Sequence, residues 1–176
     1  MTARRRPALA LACLFALVAL LAPGTSGATG SKSAAALDTS VLTQLNAIRV
    51  QHHLVPLTLS PQLSAAAAEH TRDMLADGYF GHNSSDGAAF WQRIAHYYSS
   101  AAYDHWSVGE NLLWSAGQID AAAGLAAWMK SAPHRANILF PGWRQIGIAS
   151  EISPDAPGAY GGLAVTVITA DFGVRD

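Results

Sequence analysis

Residues 128–148 read WMKSAPHRANILFPGWRQIGI, and the period of the chain changes inside them. Before this stretch an Ala-rich helix is predicted over about Asp120 to Lys130, carrying Trp128. Ser131-Ala132-Pro133 restarts a short helix over His134 to Leu139, and Pro141-Gly142 ends it. From Ile146 the spacing drops to two. Ile146 and Ile148, then Leu163, Val165, Val167 and Thr169, alternate as strand residues do.

Working back towards the N-terminus, Val41, Leu42, Leu45, Ile48 and Arg49 recur at helical spacing, with Asp38 to Ser40 as capping candidates and an end near His53. Pro56-Leu57-Thr58-Leu59 reads as a short extended link. Ser60-Pro61 opens a second helix that runs to Asp77, where Gly78 stops it. A third helix covers about Ala88 to Tyr98. Two late strands do not make a stable sheet, so another is expected within Tyr103 to Trp114. Helices first and strands last give an α+β class, with helices covering a small antiparallel sheet.

The chain has 176 residues, 51% hydrophobic and 13% charged, with a formal net charge of −1. No basic excess exists to neutralise phosphates, which excludes an electrostatic nucleic-acid binder. The hydrophobicity excludes intrinsic disorder. There is no GxGxxG or phosphate-binding loop.

The N-terminus has the layout of a secretory signal peptide. Arg4, Arg5 and Arg6 form a basic region, an apolar run follows from Ala8 to Ala22, and Ser26-Gly27-Ala28 supplies small residues for cleavage near Ala28. The run falls short of the about 20 residues that span a bilayer, so no stable membrane span is expected after cleavage. Residues 29–38 read as a flexible lead-in, and residues 39–176 as one domain. The only cysteine, Cys13, lies in the signal. The mature domain is therefore cysteine-free, and core burial alone must hold it together. A secreted or periplasmic product of a bacterial cell fits this profile.

Four segments carry chemistry: Phe80-Gly81-His82-Asn83, Gly109-Glu110-Asn111-Leu112, the run from Trp128 to Leu139, and Ile146-Gly147-Ile148 followed by Asp171-Phe172-Gly173. In this order and spacing the chain, from about Val41 to Gly173, resembles the CAP superfamily, also called SCP-like, and its small bacterial secreted members most. The resemblance implies an α–β–α sandwich with a surface cleft. It also implies a cleft that gathers two histidines and two acids. Carried over by motif, these are His82, Glu110 and His134; the second acid belongs on the helix just after its Trp. Here Trp128 is followed by Met129, Lys130 and Ser131, and no acid occurs between Asp120 and Glu151.

Two imidazoles brought together suit zinc or copper, so His82 and His134 are the candidate metal ligands. A carboxylate beside them, Glu110, can bind the metal or accept the far ring N–H and orient the histidine. The plainer reading is a satisfied His–Glu–His network that binds nothing. Arg135 and Asn137 follow His134 and are expected to bond loop carbonyls; the sharper reading pairs Arg135 with Glu110. His70 reads as a packed or capping helix residue, His52 and His53 as closing a helix, where imidazolium suits the C-terminal dipole, and His96 and His105 as surface. Ser84 and Ser85 follow His82, but no GxSxG elbow supports a hydrolase triad. Most of Trp91, Trp106, Trp114, Trp128 and Trp143 are expected in the core or the cleft wall.

Three functions are compatible with these residues. The first is a secreted, non-catalytic binding module whose cleft holds zinc, another divalent metal or a small ligand; the missing second acid favours it. The second is a structural or interaction protein whose partner is an envelope component. The third is a metal-dependent hydrolase or peptidase with Glu110 as general base.

Overall fold

The computed structural model describes residues 26–176. The expected signal peptide, residues 1–28, lies almost wholly outside them. The first helix, α1, spans Ser26–Gln51 and so includes residues 29–38, the expected lead-in. The physical reason is burial: Ala34 packs at 9% exposure and its carbonyl accepts from Ser150 Oγ at 3.0 Å. Among the described residues no helix is long and apolar enough to cross a membrane.

The remaining helices start and stop where their ends predict. Helix α2, Pro61–Asp77, is capped by Ser60, whose hydroxyl accepts from the Leu63 N–H, and ends at Gly78 in the left-handed region (φ 67°). Helix α3 is Phe90–Tyr97 and α4 is Ala121–Lys130, the latter capped by Asp120 through the Ala123 N–H at 2.8 Å. Helix α5, Ala132–Ile138, follows directly.

The strands are β1 (Thr58–Leu59), β2 (Trp106–Ala116), β3 (Gln145–Ala156) and β4 (Leu163–Arg175), in the order β1-β3-β4-β2. The sheet is mixed rather than purely antiparallel. The extended link at Thr58 and Leu59 adds a short parallel edge to β3, while β2, β3 and β4 pair antiparallel. The third strand expected within Tyr103 to Trp114 is β2.

Strand β4 is central and its alternation sets the layers. Ile168, Ala170 and Phe172 face Leu45, Leu125, Trp128 and Ile138 of α1, α4 and α5. Val165 and Val167 face the other way, towards Met74 of α2. Thr169 continues that second face, bonded to Thr71 of α2 at 2.8 Å. The result is the expected α–β–α sandwich.

Gly147 on β3 shows how closely α2 lies on the sheet: a methyl there would overlap the Leu63–Ser64 peptide. Buried Arg49 ties α1 to the far end of α5, donating to the carbonyls of Ile138 (2.6 Å) and Phe140 (3.1 Å).

Candidate functional site

The edge strand β2 organises the site. Successive residues of a strand point to opposite faces, and Glu110 and Asn111 use both. On the α2–α3 face, Glu110 Oε1 accepts from His82 Nδ1 at 2.7 Å, and Glu110 Oε2 binds the Arg93 guanidinium. On the α4–α5 face, Asn111 Nδ2 donates to the His134 carbonyl at 3.1 Å, and Asn111 Oδ1 accepts from Asn137 at 3.0 Å. Gly109 completes the motif for a steric reason, since a Cβ would stand 2.7 Å from Asn137 Oδ1. The sequence Gly-Glu-Asn is thus one clasp across the edge of the sheet.

Over that edge lies a cleft of about 650 Å³, lined by His82, Glu110, His134, Pro133, Phe140 and Trp143 among others. His82 arrives on the loop between α2 and α3. Its side chain is 52% exposed, while that of Glu110 is fully buried. Arg93 steadies this loop, donating to the His82 carbonyl at 3.2 Å and to Ser84 Oγ at 3.3 Å.

His134 is held differently. Ser131 occupies the N-cap of α5, yet its hydroxyl makes no cap bond. It instead meets His134 Nδ1 at 2.8 Å. Ser131 is the third residue after Trp128, within the stretch where the CAP resemblance places the second acid, so a neutral hydroxyl does the orienting here. Burial and the nearby His82 together push His134 below the ordinary histidine value. Each cleft histidine therefore has Nδ1 engaged and Nε2 as the nitrogen it can offer. Among the described residues no group of three or more His, Cys, Asp or Glu is arranged to hold a metal ion.

Both carboxylate oxygens of Glu110 already face donors, His82 on Oε1 and Arg93 on Oε2. The ion pair considered between Arg135 and Glu110 does not form; Arg135 donates to the Met129 carbonyl at 3.1 Å. Arg93 takes that role. Ser85 bonds Asp73. Trp128 and Trp143 are buried, whereas Trp91 is an exposed residue of α3.

Three residues carry more than their sequence context signalled. Arg93, on a short amphipathic helix, has the look of a solvent-facing cation. His70 is wholly buried, with Nε2 2.9 Å from the Gly81 carbonyl and 3.9 Å from Glu110 Oε2, and burial pushes it below the ordinary value. Asp171 lies opposite Glu110 in the β2–β4 register. Its signal was available: it continues the alternation of Val165, Val167 and Thr169.

Known proteins resemble this chain in sequence and fold. The CAP model, described as the cysteine-rich secretory protein family, matches residues 42–171. An uncharacterized Bacillus subtilis protein, YkwD, is 32% identical over 132 residues, 72% of this chain and 49% of its own length. Among solved structures, an extracellular SCP-domain protein of Bacillus anthracis superposes with a TM-score of 0.67 at 22% identity, covering 88% of this chain and 45% of that one. An outer surface protein of Borrelia burgdorferi gives 0.58 at 18% identity, covering 77% and 90%. These two likenesses are of fold, and the chain spans about half the length of the Bacillus proteins it matches. The chain belongs to the cysteine-rich secretory protein (CAP) family.

Proposed function

We propose that this CAP domain is an exported, non-catalytic binding module, and that His82 and His134 hold a divalent metal in the cleft through their Nε2 atoms. One observation carries the reading: both rings line one cleft with Nδ1 already engaged, His82 by Glu110 and His134 by Ser131. A carboxylate on the far nitrogen is the usual outer partner of a metal-bound imidazole. The lowered pKa of His134 keeps that ring neutral, the state that ligates. Two protein nitrogens leave the remaining positions to water or to a small ligand, so the site is weak and exchangeable. Glu110 orients His82 from Nδ1 and is not itself a ligand in this reading, since its side chain is buried behind the ring.

The same engagement of Glu110 supports binding without turnover. Export is supported by the signal-like N-terminus and by the described extracellular and outer-surface locations of the two structural relatives.

The test is a calorimetric zinc titration of the metal-stripped full chain, beside His82→Ala and His134→Ala, each checked for folding by circular dichroism. Saturable one-to-one binding that both folded variants lose supports the reading. Wild type that binds no zinc, or folded variants that bind it as wild type does, overturns it. In that event the clasp serves the fold alone.

A further inference from the structure

The sheet face beneath α2 and α3 contains a second acid. Asp171 stands opposite Glu110 in the β2–β4 pairing and opposite Gly147 in the β3–β4 pairing. It is wholly buried, and neither carboxylate oxygen has a hydrogen-bond partner among the described residues. The charged and titratable groups around it are few. Strand β2 brings Glu110, α3 brings Arg93, and α2 brings His70, which lies against Glu110. Strand β3 brings only the side-chain-free Gly147. One guanidinium thus serves two carboxyl groups, and it is bound to Glu110. A second buried anion without a donor is strongly unfavourable, because it loses its hydration and gains no partner in return. A proton removes that cost and supplies the missing hydrogen bond.

We propose that Asp171 is held as the neutral acid and points its proton at Glu110, which makes it the second carboxyl of the site and a positioning residue for the Glu110–His82 pair. Burial, and then the charge of Glu110, push Asp171 well above the usual carboxylate range, with Arg93 opposing. Two carboxyls on adjacent strands sharing one proton is the expected outcome when both cannot ionise. Glu110 then receives donors from His82, Arg93 and Asp171, which fixes the plane of its carboxylate and hence the ring of His82. The acid absent from the α4–α5 junction has a counterpart on β4. The arrangement does not depend on any ligand in the cleft, so it stands or falls separately from metal binding.

Carboxyl-carbon NMR on the full chain, labelled with 13C-carboxyl aspartate, tests this. One aspartate signal should remain at the protonated position at about pH 7.5, above the value of about 6 to which Asp38 is raised. That signal should vanish in Asp171→Asn. In Glu110→Gln it should titrate at lower pH, because the neighbouring charge is gone. A wild-type spectrum with every aspartate ionised at that pH overturns the proposal, as does a protonated signal that survives in folded Asp171→Asn. Where Asp171→Asn does not fold, Glu110→Gln decides, and an unmoved titration counts against the proposal.

Discussion

Glu110 and Asn111 are neighbours on β2 and restrain the two cleft histidines from opposite faces of the sheet. Glu110 holds the ring of His82 at 2.7 Å, and Asn111 holds the backbone of His134 at 3.1 Å. A one-residue slip of β2 would exchange the two roles and break both. The long β2–β4 pairing, from Trp106 opposite Arg175 to Ala116 opposite Val165, protects against that slip.

Removing the Glu110 carboxylate should therefore be expensive. Glu110→Ala leaves Arg93 buried without its anion, a situation that costs about 3–5 kcal/mol. Chemical denaturation at neutral pH measures this. A loss under about 1 kcal/mol would show that the buried pair is not held as described.

Ser131→Ala tests the other histidine. The variant loses one side-chain hydrogen bond, about 0.5–1.5 kcal/mol of stability, and frees the His134 ring to rotate. Zinc affinity should fall about 10- to 100-fold, the usual effect of losing an outer partner. Unchanged affinity in calorimetry would place the orienting of His134 elsewhere.

Helix α2 and strand β3 meet at Gly147. Gly147→Ala drives a methyl into the Leu63–Ser64 peptide, backbone that cannot rotate aside. Overpacking of this kind costs about 1–3 kcal/mol, and thermal denaturation should show a lower midpoint. An unshifted midpoint would mean that α2 does not lie so close to the sheet.

Asp38 on α1 is raised from 3.8 to about 6, chiefly by burial, with the hydrogen bonds to Ser150 opposing. A carboxyl whose folded value is raised adds its full stability below the unfolded value and loses it as pH climbs towards the folded one. Asp38→Asn should therefore leave stability near pH 4 almost unchanged and raise it at pH 7, by on the order of 1–2 kcal/mol. Buried His70 and half-buried His134 act with the opposite sign. Both are lowered, so their contribution is complete above the unfolded value of 6.5 and is lost as pH falls below it. Urea denaturation of wild type and Asp38→Asn across this window separates them; parallel curves would contradict the assignment to Asp38.

Much of this was legible in the sequence because the signals are local. Ser60-Pro61 and Gly78 bounded α2, the Ala-rich run from Asp120 to Lys130 placed α4, and the alternation from Leu163 placed β4. His82, Glu110 and His134 came from motif order, and the structure brings all three to one cleft. What escaped depends on distant partners. Thr58 and Leu59 become a strand only because β3 pairs with them. Arg93 acquires meaning only when α3 converges on Glu110, and Asp171, though in phase with Val165, Val167 and Thr169, only when β4 pairs with β2. Residues 29–38 are too poor in bulky side chains to announce a helix, and Ala34 is ordered by its contact with Ser150.

In the proposed site both imidazoles present Nε2 to one bound metal. Imidazole 15N NMR of the full chain during zinc addition reads this atom by atom. The account expects the Nε2 signals of His82 and His134 to move together, saturating at one zinc per chain, while their Nδ1 signals keep the character of engaged nitrogens. Movement of only one ring, or of neither at saturating zinc, would contradict it.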